Sequence, residues 1–243
     1  MIQVTDLKKS FGDVQALKNV SFHAGDGQVT GLLGPNGAGK TTTLRVLYTI
    51  LRPDSGSAEV DGFNVATQPV EVQRSIGALP TSKGLYPRLS ARENIHYYGL
   101  LHGLDPKTVD ERINRLAATL EMESIIDRRT EGFSTGEIMK VAIARALIHD
   151  PRNILLDEPT NGLDVMSTRS MRAFIRRLRD EGRCVLFSSH IMQEVSALCD
   201  QIVVIAAGQV VAQGSADDLL RHTGQSTLED AFVSAIGSGE GLQ

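Results

Sequence analysis

Val29-Thr30-Gly31-Leu32-Leu33-Gly34-Pro35-Asn36-Gly37-Ala38-Gly39-Lys40-Thr41 runs from an apolar strand into a glycine-rich turn and on into a helix. Its last eight residues fit G-x-x-x-x-G-K-[ST], the P-loop pattern. Each element of that pattern has a physical reason. The glycines let the backbone curl so that successive amides point inward and form an anion-binding nest. The helix opening near Thr41 adds its positive dipole end. Lys40 brings a mobile charge to the β- and γ-phosphates, and the Thr41 hydroxyl can ligate Mg2+. The stretch therefore predicts nucleotide binding at the end of a strand in an α/β sheet, and leaves the reaction open.

Around the loop, three zones can be told apart. Up to about residue 85, short apolar runs alternate with turns, as in Val20 to His23, Val29 to Leu33 and Ile76 to Leu79. These read as strands, with one helix from Thr41 to Leu51 closed by Pro53. From about 86 to 148 the pattern is helical. Ser90-Ala91-Arg92-Glu93 is a capping-box signature, Pro106 sits where a helix would begin, and Val109, Ile113, Leu116 and Leu120 recur on one face. From about 152 strands and helices alternate again: Ile154 to Leu156, a helix face of Met171, Phe174, Ile175 and Leu178, then Cys184 to Phe187 and Ile202 to Ile205. Thr227 to Phe232 reads as a short capped helix, and Gly237 to Glu240 as a frayed tail. The whole predicts a P-loop α/β core with a mainly parallel sheet, interrupted by an inserted α-helical subdomain.

Composition narrows the functional classes. The chain has 243 residues, 41% hydrophobic and 22% charged, which is ordinary for a globular protein. With 25 Lys+Arg against 29 Asp+Glu, the balance argues against a basic nucleic-acid-coating protein, and no nucleic-acid partner is expected. Six arginines between Arg169 and Arg183 read as the solvated side of a helix. No apolar run approaches the roughly 18 residues of a membrane-spanning helix. The start, Met1 to Asp6, lacks the basic-then-apolar order of a secretory signal. Cys184 and Cys199 carry no metal-type spacing and read as buried thiols of a reduced, cytosolic chain.

A second constellation lies downstream. Ile154-Leu155-Leu156-Asp157-Glu158 sets two carboxylates at the end of an apolar strand, where ligands of open α/β sheets bind. Asp157 suits Mg2+ held through water, and Glu158 suits orienting or deprotonating an attacking water. His190 ends another apolar run, and either a γ-phosphate contact or an ordinary surface role fits it.

Five stretches together resemble the ATP-binding-cassette (ABC) transporter ATPases. These are the P-loop, Ser134-Thr135-Gly136-Glu137 before Val141 to Leu147, Leu155 to Thr160, Gly162-Leu163-Asp164, and Ser188-Ser189-His190. The likeness covers about residues 1 to 235. It implies an N-terminal antiparallel β portion and one nucleotide-binding module over 1–235, with core 1–85 and 149–222 and a helical subdomain over about 86–148. A C-terminal helix and tail would occupy 223–243. It implies an ATPase using ATP and Mg2+ that works as a head-to-tail homodimer, each ATP lying between the P-loop of one subunit and the signature segment of the other.

By the same resemblance, Phe11 matches the aromatic that stacks on adenine. Gly34, Pro35, Asn36, Gly37, Ala38, Gly39, Lys40, Thr41 and Thr42 match Walker A, and Ser134, Gly136 and Glu137 match the signature. Asp157 and Glu158 match Walker B and the catalytic carboxylate, Asp164 the D-loop, and His190 the switch histidine, so that Glu158, His190 and Lys40 would carry catalysis and Thr41 and Asp157 the metal. The helical subdomain would dock on an integral-membrane permease, placing the chain peripherally on the cytoplasmic face of the cell membrane. Two positions depart from the family pattern. Thr81 stands where a Mg2+-contacting glutamine is usual, and Phe133-Ser134-Thr135-Gly136-Glu137 replaces the common Leu-Ser-Gly-Gly-Gln. Thr41 to Arg45 and Ala91 to Ile95 are similar to the sodium-extrusion type of bacterial exporter, which shares these stretches with multidrug exporters. The competing expectation is a nucleotide-dependent switch with little hydrolysis, acting on a non-membrane partner.

Overall fold

The computed structural model describes residues 1–81 and 84–237. Among them, ten strands join in one sheet. The strands are β1 (Ile2–Phe11), β2 (Val14–Ala24), β3 (Val29–Leu33), β4 (Ser55–Val60), β5 (Phe63–Asn64), β6 (Ile76–Leu79), β7 (Asn153–Asp157), β8 (Cys184–Ser189), β9 (Gln201–Ala206) and β10 (Gln209–Gly214). Their order is β5-β4-β1-β2-β10-β9-β3-β8-β7-β6. From β9 to β6 every pairing is parallel. At the other end, β1 pairs antiparallel with β2 and β4, so the sheet has the parallel core and antiparallel N-terminal portion expected.

Parallel strands buried on both faces read as continuous apolar runs. Here the runs divide residue by residue between two cores, because successive side chains point to opposite faces. Ile154, Leu156, Val185 and Phe187 pack on the helical-segment side. Leu155, Leu186, Cys184 and Val203 pack on the side carrying the antiparallel strands. Cys184 is buried and Cys199 half-buried; both are free, and burial pushes the Cys184 thiol up to about 12 and raises that of Cys199 as well.

The helix after the P-loop, α1 (Lys40–Leu47), ends four residues before the Leu51 boundary expected. Thr49 takes a left-handed backbone, φ 63, and turns the chain out of the helix. The Ile50 and Thr49 amides then bond back to the carbonyls of Arg45 and Val46, a Schellman closure that needs no proline. A second helix that the sequence reading passed over, α2 (Pro69–Ser75), follows β5. It is too short to show a periodic face, and Val72 is its one buried residue.

Between β6 and β7 lie α3 (Ala91–Leu101), α4 (Pro106–Thr119) and α5 (Thr135–Leu147), with no strand among the described residues there. Ser90 and Glu93 form the capping box reciprocally, and Asp105 caps α4 ahead of Pro106. Val109 and Ile113 are fully buried, as their spacing predicts. After β7 comes α6 (Val165–Asp180), after β8 comes α7 (Met192–Leu198), and after β10 come α8 (Ala216–Thr223) and α9 (Leu228–Ile236). Thr227 caps α9, which runs past the Phe232 expected. Of the expected tail, residues 238–240 lie outside the described residues. Along and beyond α6, Arg177, Arg179 and Arg183 pair with Glu181, Asp180 and Asp150, so the arginine run is interleaved with acids, as a solvated face would be.

Candidate active site

The parallel register assembles the site. β3 lies between β8 and β9, so Gly34 leaves the sheet beside the C-terminal ends of its neighbours. Leu32 pairs with Ser188, and Ser188 pairs with Asp157. Three strands thus deliver the P-loop, His190 and the two carboxylates to one edge, the edge at which open α/β sheets bind ligands.

In the loop, glycine is required at two positions for steric reasons. A Cβ on Gly34 would meet the Ile205 carbonyl oxygen at 2.2 Å. Gly39, the residue before α1, has φ 110, and a Cβ there would meet Leu17 Cδ2 at 2.7 Å. No side chain caps α1, so its first amides face the loop's interior. Lys40, the first residue of α1, is nearly buried and folds back. Its Nζ donates to the carbonyls of Gly34 (2.7 Å) and Pro35 (3.1 Å) and lies 3.8 Å from Glu158 Oε1. Burial lowers the Lys40 pKa, while Glu158 and Asp157 oppose that shift.

Asp157 is 2% exposed and gathers three hydroxyls. Ser188 Oγ donates to its Oδ1 at 2.6 Å, Thr81 Oγ1 to its Oδ2 at 2.6 Å, and Thr41 Oγ1 to Oδ1 at 3.3 Å. The neighbouring residue, Glu158, leaves the strand with a left-handed φ of 50, and its amide donates to Ser188 Oγ at 3.1 Å. That turn swings the Glu158 carboxylate to the cleft, where Oε2 lies 3.0 Å from His190 Nδ1. Glu158, His190, Lys40, Thr41, Thr81 and Asn161, with the loop from Asn36 to Thr42, line a cleft of about 320 Å3.

The donors around Asp157 are all oxygens: one carboxylate and hydroxyls from Thr41 and Thr81. Mg2+ favours such a set, because it takes one or two carboxylates and completes its shell with waters and phosphate oxygens. No cluster of three or more His, Cys, Asp or Glu side chains suited to a metal occurs among the described residues. The residues fit a cation that arrives with a nucleotide.

The signature segment borders a neighbouring cavity of about 470 Å3, which Thr135 and Ile138 line together with Thr81, Glu158 and Asn161. Ser134 caps α5, and Glu137 closes the box. The Glu137 Oε2 atom accepts from the Ser134 amide at 2.8 Å and from its hydroxyl at 2.9 Å, and Oε1 lies 3.3 Å from Arg128. Asp164 caps α6, accepting from the Ser167 amide at 2.9 Å and its hydroxyl at 2.7 Å. These two helix starts are neighbours, since a Cβ on Gly136 would lie 3.1 Å from Ser167 Oγ. Ser134, Gly136, Glu137 and Asp164 do not line the P-loop cleft. Phe11, at the end of β1, is 47% exposed with Lys9 Nζ 5.7 Å from its ring centroid, and it does not line the cleft either. Sequence reading missed Ser188 as a partner of both Asp157 and Glu158, and Asn161 as a cleft residue. A register pairing across strands was the only signal for Ser188, and it is not written in the chain order.

A family model described as ABC transporter matches residues 17–161. The chain belongs to the ABC transporter family. It is 45% identical to the ABC transporter ATP-binding protein NatA of Bacillus subtilis, over 98% of this chain and 99% of that one. It is 34% identical to the Nod factor export ATP-binding protein I of Ralstonia nicotianae, over 91% of this chain and 69% of the other. A solved ATP-binding subunit of an ABC transporter superposes with a TM-score of 0.89 at 27% identity, covering 98% of this chain and 100% of that one. As an ABC protein the chain is an ATPase with the ABC cassette fold, and ABC ATPase domains bind ATP, generally with Mg2+. ABC ATP-binding subunits typically pair with membrane permeases and form dimers. No helix among the described residues is long and apolar enough to cross a membrane.

Proposed function

We propose that this chain powers export through a separate integral-membrane permease, with sodium ions or drugs as the cargo class, and that two copies close on ATP as a homodimer. The observation that carries the reading is the Lys40–Glu158–His190 constellation at the mouth of the P-loop. Drugs as a cargo class are supported by 36% identity, over 94% of this chain, to the daunorubicin resistance ATP-binding protein DrrA3 of Streptomyces coeruleorubidus, and the separate permease by the typical pairing of ABC ATP-binding subunits.

In this reading, the amides from Asn36 to Thr42 cradle the phosphates. Lys40 leaves the carbonyls of Gly34 and Pro35 for the β- and γ-phosphate oxygens. Thr41 and Asp157 would hold Mg2+, which would supply positive charge beside the phosphate oxygens. Glu158 accepts a proton from the attacking water, the phosphoanhydride bond breaks, and ADP and phosphate leave. His190 orients the Glu158 carboxylate and faces the γ-phosphate. Phe11 stacks on adenine. The Ser134–Glu137 helix start and Asp164 face the same ATP from the second copy. Ser134, Gly136, Glu137 and Asp164 do not line the P-loop cleft of their own chain, which supports a site shared between two copies. Docking of the α3–α5 segment on the permease would then transmit closure.

The test is Glu158→Gln. Turnover should fall about 100- to 10,000-fold, the contribution of a general base. ATP should still bind, and a stable dimer should accumulate on size-exclusion chromatography. Wild-type turnover in that variant would remove Glu158 from the role.

A further inference from the structure

Among the described residues, the most deeply buried acidic side chain after Asp157 is Glu194 on α7, 3% exposed. One of its oxygens, Oε2, accepts the hydroxyl of Thr160 in a short hydrogen bond and the hydroxyl of Ser189 at 3.5 Å. Thr160 is itself 6% exposed and follows Glu158 by two residues; Ser189 is 1% exposed and immediately precedes His190. The Ser189 hydroxyl also accepts the amide of Ile191, so it spans both sides of His190. The other oxygen, Oε1, lies 3.8 Å from an Arg172 nitrogen on α6.

We infer that Glu194 is a positioning residue, whose single oxygen ties the segment after Glu158 to the segment holding His190 and so sets the Glu158–His190 distance. Glu158 needs such a restraint. It leaves β7 in a left-handed backbone conformation that a residue with a Cβ holds only when its surroundings fix it. Ser188 fixes the strand side of that turn, through the Glu158 amide and Asp157. Thr160 and Glu194 fix the exit side. His190 is held by the Glu158 carboxylate, and its backbone is held through Ser189. Removing the shared acceptor frees both segments and leaves two buried hydroxyls without their partner, while Lys40 keeps its hydrogen bonds to the Gly34 and Pro35 carbonyls. The inference rests on Glu158 and His190 being the pair that handles water.

This predicts a separation of kcat from nucleotide affinity. In Glu194→Ala, kcat should fall about 100-fold, the scale of a displacement of roughly 1 Å at a reacting group. The dissociation constant for a fluorescent ATP analogue should stay within about twofold, since the phosphate nest is untouched. Glu194→Gln should restore most of kcat, because its amide oxygen can accept both hydroxyls and only the pairing with Arg172 is lost. Thr160→Val removes one tie and preserves the side-chain shape, and it should lower kcat in the same selective way. It decides the matter if Glu194→Ala fails to fold. A Glu194→Ala or Thr160→Val protein with wild-type kcat overturns the inference. So does a parallel loss of kcat and nucleotide affinity, or a Glu194→Gln variant as impaired as the alanine. Glu158→Gln run beside them separates the two readings: if it alone loses turnover, only the Glu194 inference fails, and if it keeps turnover, the assignment of Glu158 fails first.

Discussion

Two regions of the molecule hold their polar side chains in opposite ways. At the sheet edge, polar groups come from the start of α1, from the ends of β7 and β8 and the residues just past them, and from the loop after β6, and they bond to one another across long sequence gaps. Asp157 meets Ser188, Thr81 and Thr41, and Glu158 meets His190. At the starts of α5 and α6, the polar side chains bond to their own backbone within three residues. The edge is a cleft whose contacts must rearrange when a nucleotide enters, since Lys40 occupies loop carbonyls. The helix starts are closed units, fixed before any ligand arrives. At α5 the reciprocal box satisfies the cap and third-position amides, and at α6 Asp164 accepts the third-position amide of Ser167.

Lys40→Ala is the strongest way to break this contrast. If the edge is a rearranging anion cleft, nucleotide affinity should fall by about 100-fold, the upper range for a charged donor to a charged acceptor. Titration with a fluorescent ATP analogue measures it, and the unfolding temperature should change little. A large loss of stability with affinity intact would make Lys40 a structural tie between Gly34 and Pro35, and the edge would then be as closed as the helix starts. Ser134→Ala probes the other region. It removes a helix cap worth about 1 kcal/mol, which thermal or denaturant unfolding would register in the absence of nucleotide. A stability change well below that would mean the Ser134 hydroxyl is free for a ligand, and the two regions would be alike.

This contrast also decides what the sequence could disclose. The P-loop, the Asp157–Glu158 pair and the Ser134–Glu137 box are local patterns, and each lies where its spacing put it. The alternation of Ile154 to Leu156 and Val185 to Phe187 between two cores follows from period-two geometry, but an all-apolar run hides which residue faces which side. Ser188 was illegible as a partner of Asp157, because 31 residues separate them and only the β7–β8 register makes them neighbours. Glu194 was illegible for a similar reason: Thr160 lies 34 residues away in the turn after β7, and only the fold brings it to the end of β8 where Ser189 meets Glu194. The early end of α1 had no glycine to announce it, since a threonine takes the left-handed position. α2, α7 and α8 are seven or eight residues long, too short for a helical period to stand out from chance.

The smallest effect comes from Glu137→Gln, and it sharpens the comparison most finely. A carboxylate in the signature segment would repel the γ-phosphate of a facing ATP if it pointed outward. Instead its two oxygens are engaged by Ser134 and Arg128, and the Ser134 donors, with Arg128 adding, hold its pKa below the ordinary value of 4.5. A glutamine at this position can close the same capping box. The variant should therefore turn over ATP within about twofold of wild type and unfold within a few tenths of a kcal/mol of it at neutral pH. The pH dependence gives the sign. A carboxyl whose pKa falls on folding stabilises the fold above its unfolded value, and loses that contribution as pH drops through its folded value. Any advantage of Glu137 in unfolding temperature should thus be present at pH 7 and vanish in acid below 4.5, the two proteins converging. A tenfold faster ATPase or markedly tighter ATP-driven dimer in Glu137→Gln would show the charge reaching the phosphate across the interface. The box at α5 would then open on ligand binding, and the two regions would differ in when they rearrange and not in whether they do.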